Sequence, residues 1–191
     1  TDLDVDVSAG NVIIRFADVT DAELVVTDAA EGRWQLVRDC SSLELSDRDD
    51  WYGWGFGDWS LFGSSFGDER VELVLPERLA GIDADLDLGA GLLEVTGDFG
   101  DLDADLAAGR LEVSGSARSV DASISAGRAD FVIADASDVS LEVSAGRLEA
   151  EFTGTAPSET TLEVSAGALD LTLPDMEYEV SQEVSADFER G

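Results

Sequence analysis

The chain has 191 residues, 44% of them apolar, enough for a real core, so its acidity is not that of a disordered tail. Its 43 acids face 11 bases, every base an Arg with Lys and His absent, and the formal charge of -32 repels nucleic acid and anionic headgroups while attracting cations and cationic peptides. The length fits one domain or at most two, no apolar run reaches the roughly 20 residues of a membrane span, and the single Cys40 excludes an internal disulfide and a Cys/His zinc site.

Read in chain order, Leu3–Val7 and Asn11–Phe16 alternate apolar and polar residues on either side of Val7-Ser8-Ala9-Gly10, which predicts two short strands about a small corner. Glu23–Thr27, Arg33–Arg38 and Ser42–Leu45 read as further strands between polar turns, and Arg70–Leu75 as another that stops at Pro76. Cys40 lies beside Asp39, which disfavours a reactive thiolate and predicts a small buried side chain. Trp51–Phe66 breaks the pattern: it carries 7 of the chain's 14 aromatic residues with Gly interleaved, and has neither a helical nor a strand period. It is read as a loop insertion. Its Trp51, Tyr52, Trp54, Phe56, Trp59, Phe62 and Phe66 form the candidate partner-binding patch, able to stack on sugar rings, peptide aromatics or a membrane interface. The competing reading is a cover folded over the end of the core.

From Gly81 onward a corner of the form Ser-Ala-Gly recurs between period-two runs. It reads Leu-Gly-Ala-Gly at Leu88–Gly91, Leu-Ala-Ala-Gly at Leu106–Gly109, and Ser-Ala-Gly at 125–127, 144–146 and 165–167, then decays to Val-Ser-Ala-Asp at Val184–Asp187. The closing glycines from Gly91 to Gly167 are 18, 18, 19 and 21 residues apart, the mark of a stacked repeat. One such unit cannot bury its own apolar face, but units stacked about 4.8 Å apart can. The expected fold is all-β: a single-stranded β-solenoid, β-helix-like and right-handed, with two short strands per 18–21-residue rung. Residues 1–191 are read as one solenoid domain, with irregular coils and the aromatic insertion 51–66 in residues 1–80 and regular repeats in 81–191. An antiparallel sandwich of Gly-turn hairpins is the alternative. The expected inward rows include Leu102, Ala104, Leu106, Leu111 and Val113, and in the last unit Leu162, Val164, Leu169 and Leu171.

Stacking at a step of 18 predicts columns of charge. Asp83 falls over Asp101, Asp85 over Asp103 and Asp121, and Asp87 over Asp105. Carboxylates about 4.8 Å apart repel by roughly 0.9 kcal/mol at the dielectric of water. Calcium takes six to eight oxygen ligands, so Asp83, Asp85, Asp101, Asp103 and Asp121 are the candidate metal residues, for a weak Ca2+ or Mg2+ site. The competing reading is a solvated surface suited to high salt, or simply the residue usage of a GC-rich genome. No other cofactor is expected. On the other strand Arg110, Arg128 and Arg147 stack beside Glu112, Asp130 and Glu149, in same-rung and diagonal pairs that set register.

Arg-Val-Glu-Leu-Val-Leu-Pro at Arg70–Pro76, the tandem units ending Ser-Ala-Gly-x-Leu-Glu, and Leu-Thr-Leu-Pro at Leu171–Pro174 resemble the bacterial putative-adhesin family of uncharacterised β-solenoid domains, related to the toast-rack domains of cell-envelope stress proteins. The resemblance implies an extracellular or cell-envelope location, often beside a membrane anchor, and carries no catalytic residues. Thr1 in place of an initiator Met reads as the start of a trimmed piece, with any leader or tether outside it. The expected function is a non-catalytic surface binding or scaffold module whose partner is a protein or glycan met through the aromatic loop. One alternative is a cation-dependent adhesin using the Asp columns. Another is a β-helix carbohydrate-active enzyme with a carboxylate pair in a sugar-sized cleft. Enzyme chemistry is not expected, since the chain has no His, P-loop, dinucleotide fingerprint or Gly-x-Ser-x-Gly elbow.

Overall fold

Alternation of apolar and polar side chains makes strands of most of the described residues. The computed structural model describes residues 2–28, 33–39, 41–47 and 69–175. Its strands are β1 (Asp2–Ala17), β2 (Glu23–Thr27), β3 (Trp34–Arg38), β4 (Ser42–Asp47), β5 (Arg70–Pro76), β6 (Ile82–Leu106), β7 (Arg110–Ser116), β8 (Ser119–Ile124), β9 (Arg128–Ala134), β10 (Asp138–Val143), β11 (Arg147–Thr153), β12 (Glu159–Val164) and β13 (Ala168–Thr172). They form one large sheet that does not close on itself. A 3-10 turn, Glu77–Leu79, follows Pro76.

The length of β6 explains the connectivity. It runs along one arm, Ile82–Leu88, through the Gly89–Gly91 corner, back along a second arm, and into the next layer at Asp101–Leu106. Later layers repeat this path in parallel register. Along the first arm Asp101, Ser119, Asp138 and Glu159 lie side by side, and along the second Leu92, Arg110, Arg128, Arg147 and Ala168 do. Every pair from β6 to β13 is parallel, so the antiparallel hairpins of a sandwich do not occur in this stretch.

The N-terminal third departs from chain order. β1 is itself a two-arm layer, paired in parallel with β6 from Asp2 opposite Asp83 to Arg15 opposite Thr96. On its other side lie β4 under the first arm and β5 under the second, both parallel to it. The stack then ends in two reversed strands, β3 antiparallel to β4 and β2 antiparallel to β5. The first strand of the chain is therefore an interior layer. Both reversed strands are only 5 residues long, and a very short edge strand is one way of blunting a sheet edge.

Inward side chains from both arms meet in one apolar cluster running from Leu3 to Phe152. Large residues face small ones up the stack: Val113, Phe131 and Ala150 are neighbours in one column, as are Leu111, Ala129 and Leu148. Phe131 is fully buried as a result, because side chains interdigitate best when volumes alternate. At the open side of the layers Phe99, Ala117 and Ala136 form a third buried row, and Phe99 meets Phe16 edge to face at 5.8 Å. The expected inward row fails at the last layer: Leu162 is 46% exposed and Val164 45%, because among the described residues no layer lies above β12.

Small residues hold the corners together. Gly109 adopts φ +111°, and a Cβ there would lie 2.5 Å from the carbonyl oxygen of Gly91 in the layer below. Gly81 also has a positive φ, +81°, but open space around it. Gly81→Ala is therefore expected to cost about 1–2 kcal/mol from backbone strain alone, and Gly109→Ala about 2–5 kcal/mol from strain plus the clash. Urea unfolding of the two variants measures the difference, and equal losses would show that corner stacking contributes nothing.

Candidate functional site

The outward positions of the first arm carry one motif three times: Asp2, Asp4 and Asp6; Asp83, Asp85 and Asp87; Asp101, Asp103 and Asp105. Period two puts all three acids of each strand on the same face, and parallel register puts like over like. Asp2 pairs with Asp83, Asp4 with Asp85 and Asp6 with Asp87, and Asp103 pairs with Asp121 one layer further. Asp83 and Asp101 adjoin directly, the Asp101 backbone N–H donating to Asp83 Oδ1 at 2.8 Å. All five candidate metal residues, Asp83, Asp85, Asp101, Asp103 and Asp121, therefore share one face. Around them runs an open groove of about 680 Å3, bordered also by Asp2, Asp4, Asp138 and Glu159. Among the described residues no group of three or more His, Cys, Asp or Glu side chains could hold a metal ion.

Crowding shows in the acidities. Burial, then Asp4 and Asp105, raise the carboxyl of Asp85 above its ordinary value. Burial, then Asp85 and its neighbours, raise that of Asp87, and burial, then Asp121 and Asp85, raise that of Asp103. Asp101 at the rim goes the other way. The Ser119 hydroxyl donates to its Oδ1 at 2.5 Å, Arg118 Nε donates to the same oxygen at 3.0 Å, and these bonds lower its pKa. Arg118 also reaches Asp83 at 3.8 Å.

The outer face of the second arm solves the same stacking differently. Each Arg bonds the acid of its own layer and that of the next: Arg110 with Glu112 and Asp130, Arg128 with Asp130 and Glu149, Arg147 with Glu149 and Asp170. The Arg128 guanidinium holds Asp130 below the ordinary carboxylate value. The expected same-rung and diagonal pairs are both present, and they zip the layers rather than form a site.

Sequence reasoning missed two groups. Asp2, Asp4 and Asp6 extend the acidic columns by a layer; the signal was the shared Asp-x-Asp-x-Asp-x-x-Ala-Gly motif, but 81 residues separate the partners instead of 18. Arg33, Asp47 and Glu69 converge under the Ser8–Gly10 corner, and no spacing announced them. The candidate partner-binding residues Trp51, Tyr52, Trp54, Phe56, Trp59, Phe62 and Phe66, and Cys40, lie outside the described residues.

No protein-family model and no curated protein matches the chain. Among solved structures it is similar to a putative adhesin of Bacteroides fragilis, at 12% identity and a TM-score of 0.42, over 89% of this chain and 91% of that one. That likeness is too distant to bear on fold or function, so the family resemblance rests on the sequence motifs. Among the described residues no helix is long and apolar enough to cross a membrane.

The acidities set a pH response. Groups whose pKa is raised by folding, Asp85, Asp87 and Asp103, bind protons more readily in the folded state, so their contribution is full below the ordinary value of 3.8 and is lost as pH rises above it. Groups lowered by folding, Asp101, Asp130 and Asp135, contribute above 3.8 and lose that contribution as pH falls further. In low salt the melting temperature should rise as pH falls from 7 towards about 4 and drop below that. Combined Asp85→Asn and Asp103→Asn should raise it at pH 7 and flatten the rise; calorimetry across pH 3–8 checks both.

Proposed function

We propose that the chain is a non-catalytic binding module of the cell-envelope or cell-surface kind, built as a right-handed β-solenoid, whose acidic face receives a cationic partner. The parallel register at steps of 18, 19 and 21 residues supports the solenoid. The motif resemblance supports the location. One observation carries the binding reading: two columns of Asp carboxylates, Asp2–Asp83–Asp101 and Asp4–Asp85–Asp103–Asp121, border one open groove with Asp6, Asp87 and Asp105 on the same strands, and burial together with neighbouring carboxylates raises the pKa of Asp85, Asp87 and Asp103.

A periodic row of carboxylates suits a ligand with repeated positive charge. An Arg/Lys-rich protein segment spreads its contacts and displaces counterions along the row. A chelated Ca2+ needs six to eight oxygens at about 2.4 Å, and no such convergence supports it among the described residues. The aromatic residues 51–66 are the second docking candidate of this reading; their chain ends, Asp47 and Glu69, meet at a corner edge of the same stack.

A carbohydrate-active enzyme has one observation in its favour. Asp101 is lowered and Asp103 raised in the same groove, and acid and base partners carry opposed shifts of this kind. Release of reducing sugar from a polysaccharide panel, abolished by Asp103→Asn, would establish that reading and overturn the present one.

The binding test is titration of a fluorescent ten-residue poly-Arg peptide. Binding should weaken at least about tenfold between 50 and 200 mM NaCl, and Asp85→Asn/Asp103→Asn/Asp121→Asn should weaken it at least about tenfold in low salt. If the triple variant binds as the parent does, the groove is not the site. If nothing binds while salt raises the melting temperature, the face is a salt-adapted surface.

A further inference from the structure

The corner between β4 and β5 is unlike the others. In β1 the five residues Val7–Asn11 separate the two arms, and Leu88–Leu92 do so in β6. The layer beneath β1 has Ser46 opposite Asp6 and Val71 opposite Val12. Between those two fixed points the chain spends residues 47–70 where its neighbours spend five. The insertion is thus placed at a corner, outside the register of both arms.

Its two ends are tied together. The Asp47 side chain is fully buried. Its Oδ1 accepts from the Ser8 N–H at 2.7 Å and its Oδ2 from the Ala9 N–H at 3.2 Å. Arg33 Nη1 donates to Glu69 Oε2 at 2.6 Å, while its Nη2 donates to the Ala9 carbonyl at 2.6 Å and lies 3.6 Å from Asp47 Oδ2. The Trp34 indole N–H donates to Glu69 Oε1, and its ring lies under Gly10, where an added Cβ would fall 2.9 Å from the ring. One guanidinium thus spans the last residue before the insertion and the first described residue after it. Its third contact is the corner of the layer above.

We propose that Arg33, Asp47 and Glu69 are a clasp that closes this layer across the neck of the insertion, so that the fold needs no residue of the segment 48–68. Among the described residues Trp34 and the reversed strands β2 and β3, through Leu24 and Leu36, pack on the apolar end of the layer. The aromatic segment is then free of a structural duty, which an essential cover would not be.

Two variants test this. In the first, residues 48–68 are replaced by Gly-Ser-Gly. It should keep the parent's far-ultraviolet dichroism and a single cooperative melt, with a midpoint within about 5 °C. Loss of cooperative folding would overturn the proposal and make the segment part of the core's cover. In the second, Arg33→Met is placed in both the full and the excised chains. The clasp joins the ends of a 21-residue segment in one and of a three-residue link in the other. The midpoint should therefore fall further in the full chain, by at least about 3 °C more. Equal losses would mean that Arg33 only fills a buried polar site, and would overturn the clasp. Should Arg33→Met leave the full chain unfolded, Glu69→Gln in the same two backgrounds takes its place, with the same inequality expected.

Discussion

Everything in this structure depends on the backbone ladder passing through the corners without a break. At most positions where a sheet turns, the ladder stops. Here Ala107, Ser125, Ser144 and Ser165 donate their N–H groups to Leu88, Leu106, Ile124 and Val143 of the layer below at 2.9–3.0 Å, and Arg128, Arg147 and Ala168 resume the ladder beyond the corner. Such continuity demands that corner backbones approach within van der Waals range, which only Gly, Ala and Ser allow. Both arms are then locked to the same register, because a slip in one would pull the other out through a corner that has no slack. A slip of one residue would also turn the apolar row outwards and the Asp row inwards, at a prohibitive cost in buried charge.

That lock gives the charges their meaning. Two faces share one scaffold and one spacing, yet one is zipped and the other is strained. On the second arm Arg follows the corner glycines Gly109, Gly127 and Gly146, and each Arg reaches acids in two layers at once, so attraction runs along the stack. On the first arm Asp alternates with Leu, Ala and Val, and each carboxylate has another above or below it. Neighbouring like charges in partial burial are disfavoured, and the fold tolerates them because the apolar rows beneath are continuous. A surface that is costly to hold empty gains most from a cation, whether salt, proton or a basic segment.

The repeat was legible because its period is short and its motif constant. Gly91 to Gly167 gave the layer step directly, the inward rows followed from alternation, and the Arg–acid pairs followed from the step. What was not legible came from long separations. Asp2-Leu3-Asp4-Val5-Asp6 repeats the alternating Asp of Asp83-Ala84-Asp85-Leu86-Asp87, but nothing local says that the two strands adjoin across 81 residues or that β4 and β5 sit on the far side. The antiparallel turn of β2 and β3 was equally hidden, since strand direction is a property of pairing and not of composition. Arg33, Asp47 and Glu69 are scattered and carry no motif; only the corner they share unites them.

The interior position of β1 bears on the order in which the molecule can assemble. A strand made first must wait for β6, some eighty residues later, before its long edge is satisfied, whereas each layer from β7 onward finds its partner within about twenty residues. Contacts of long sequence separation form late because the intervening chain must first be confined. Seating of the N-terminal layers on a pre-built stack is thus the expected slow step of folding, one that would leave the lower edge of β6 an exposed template for another chain.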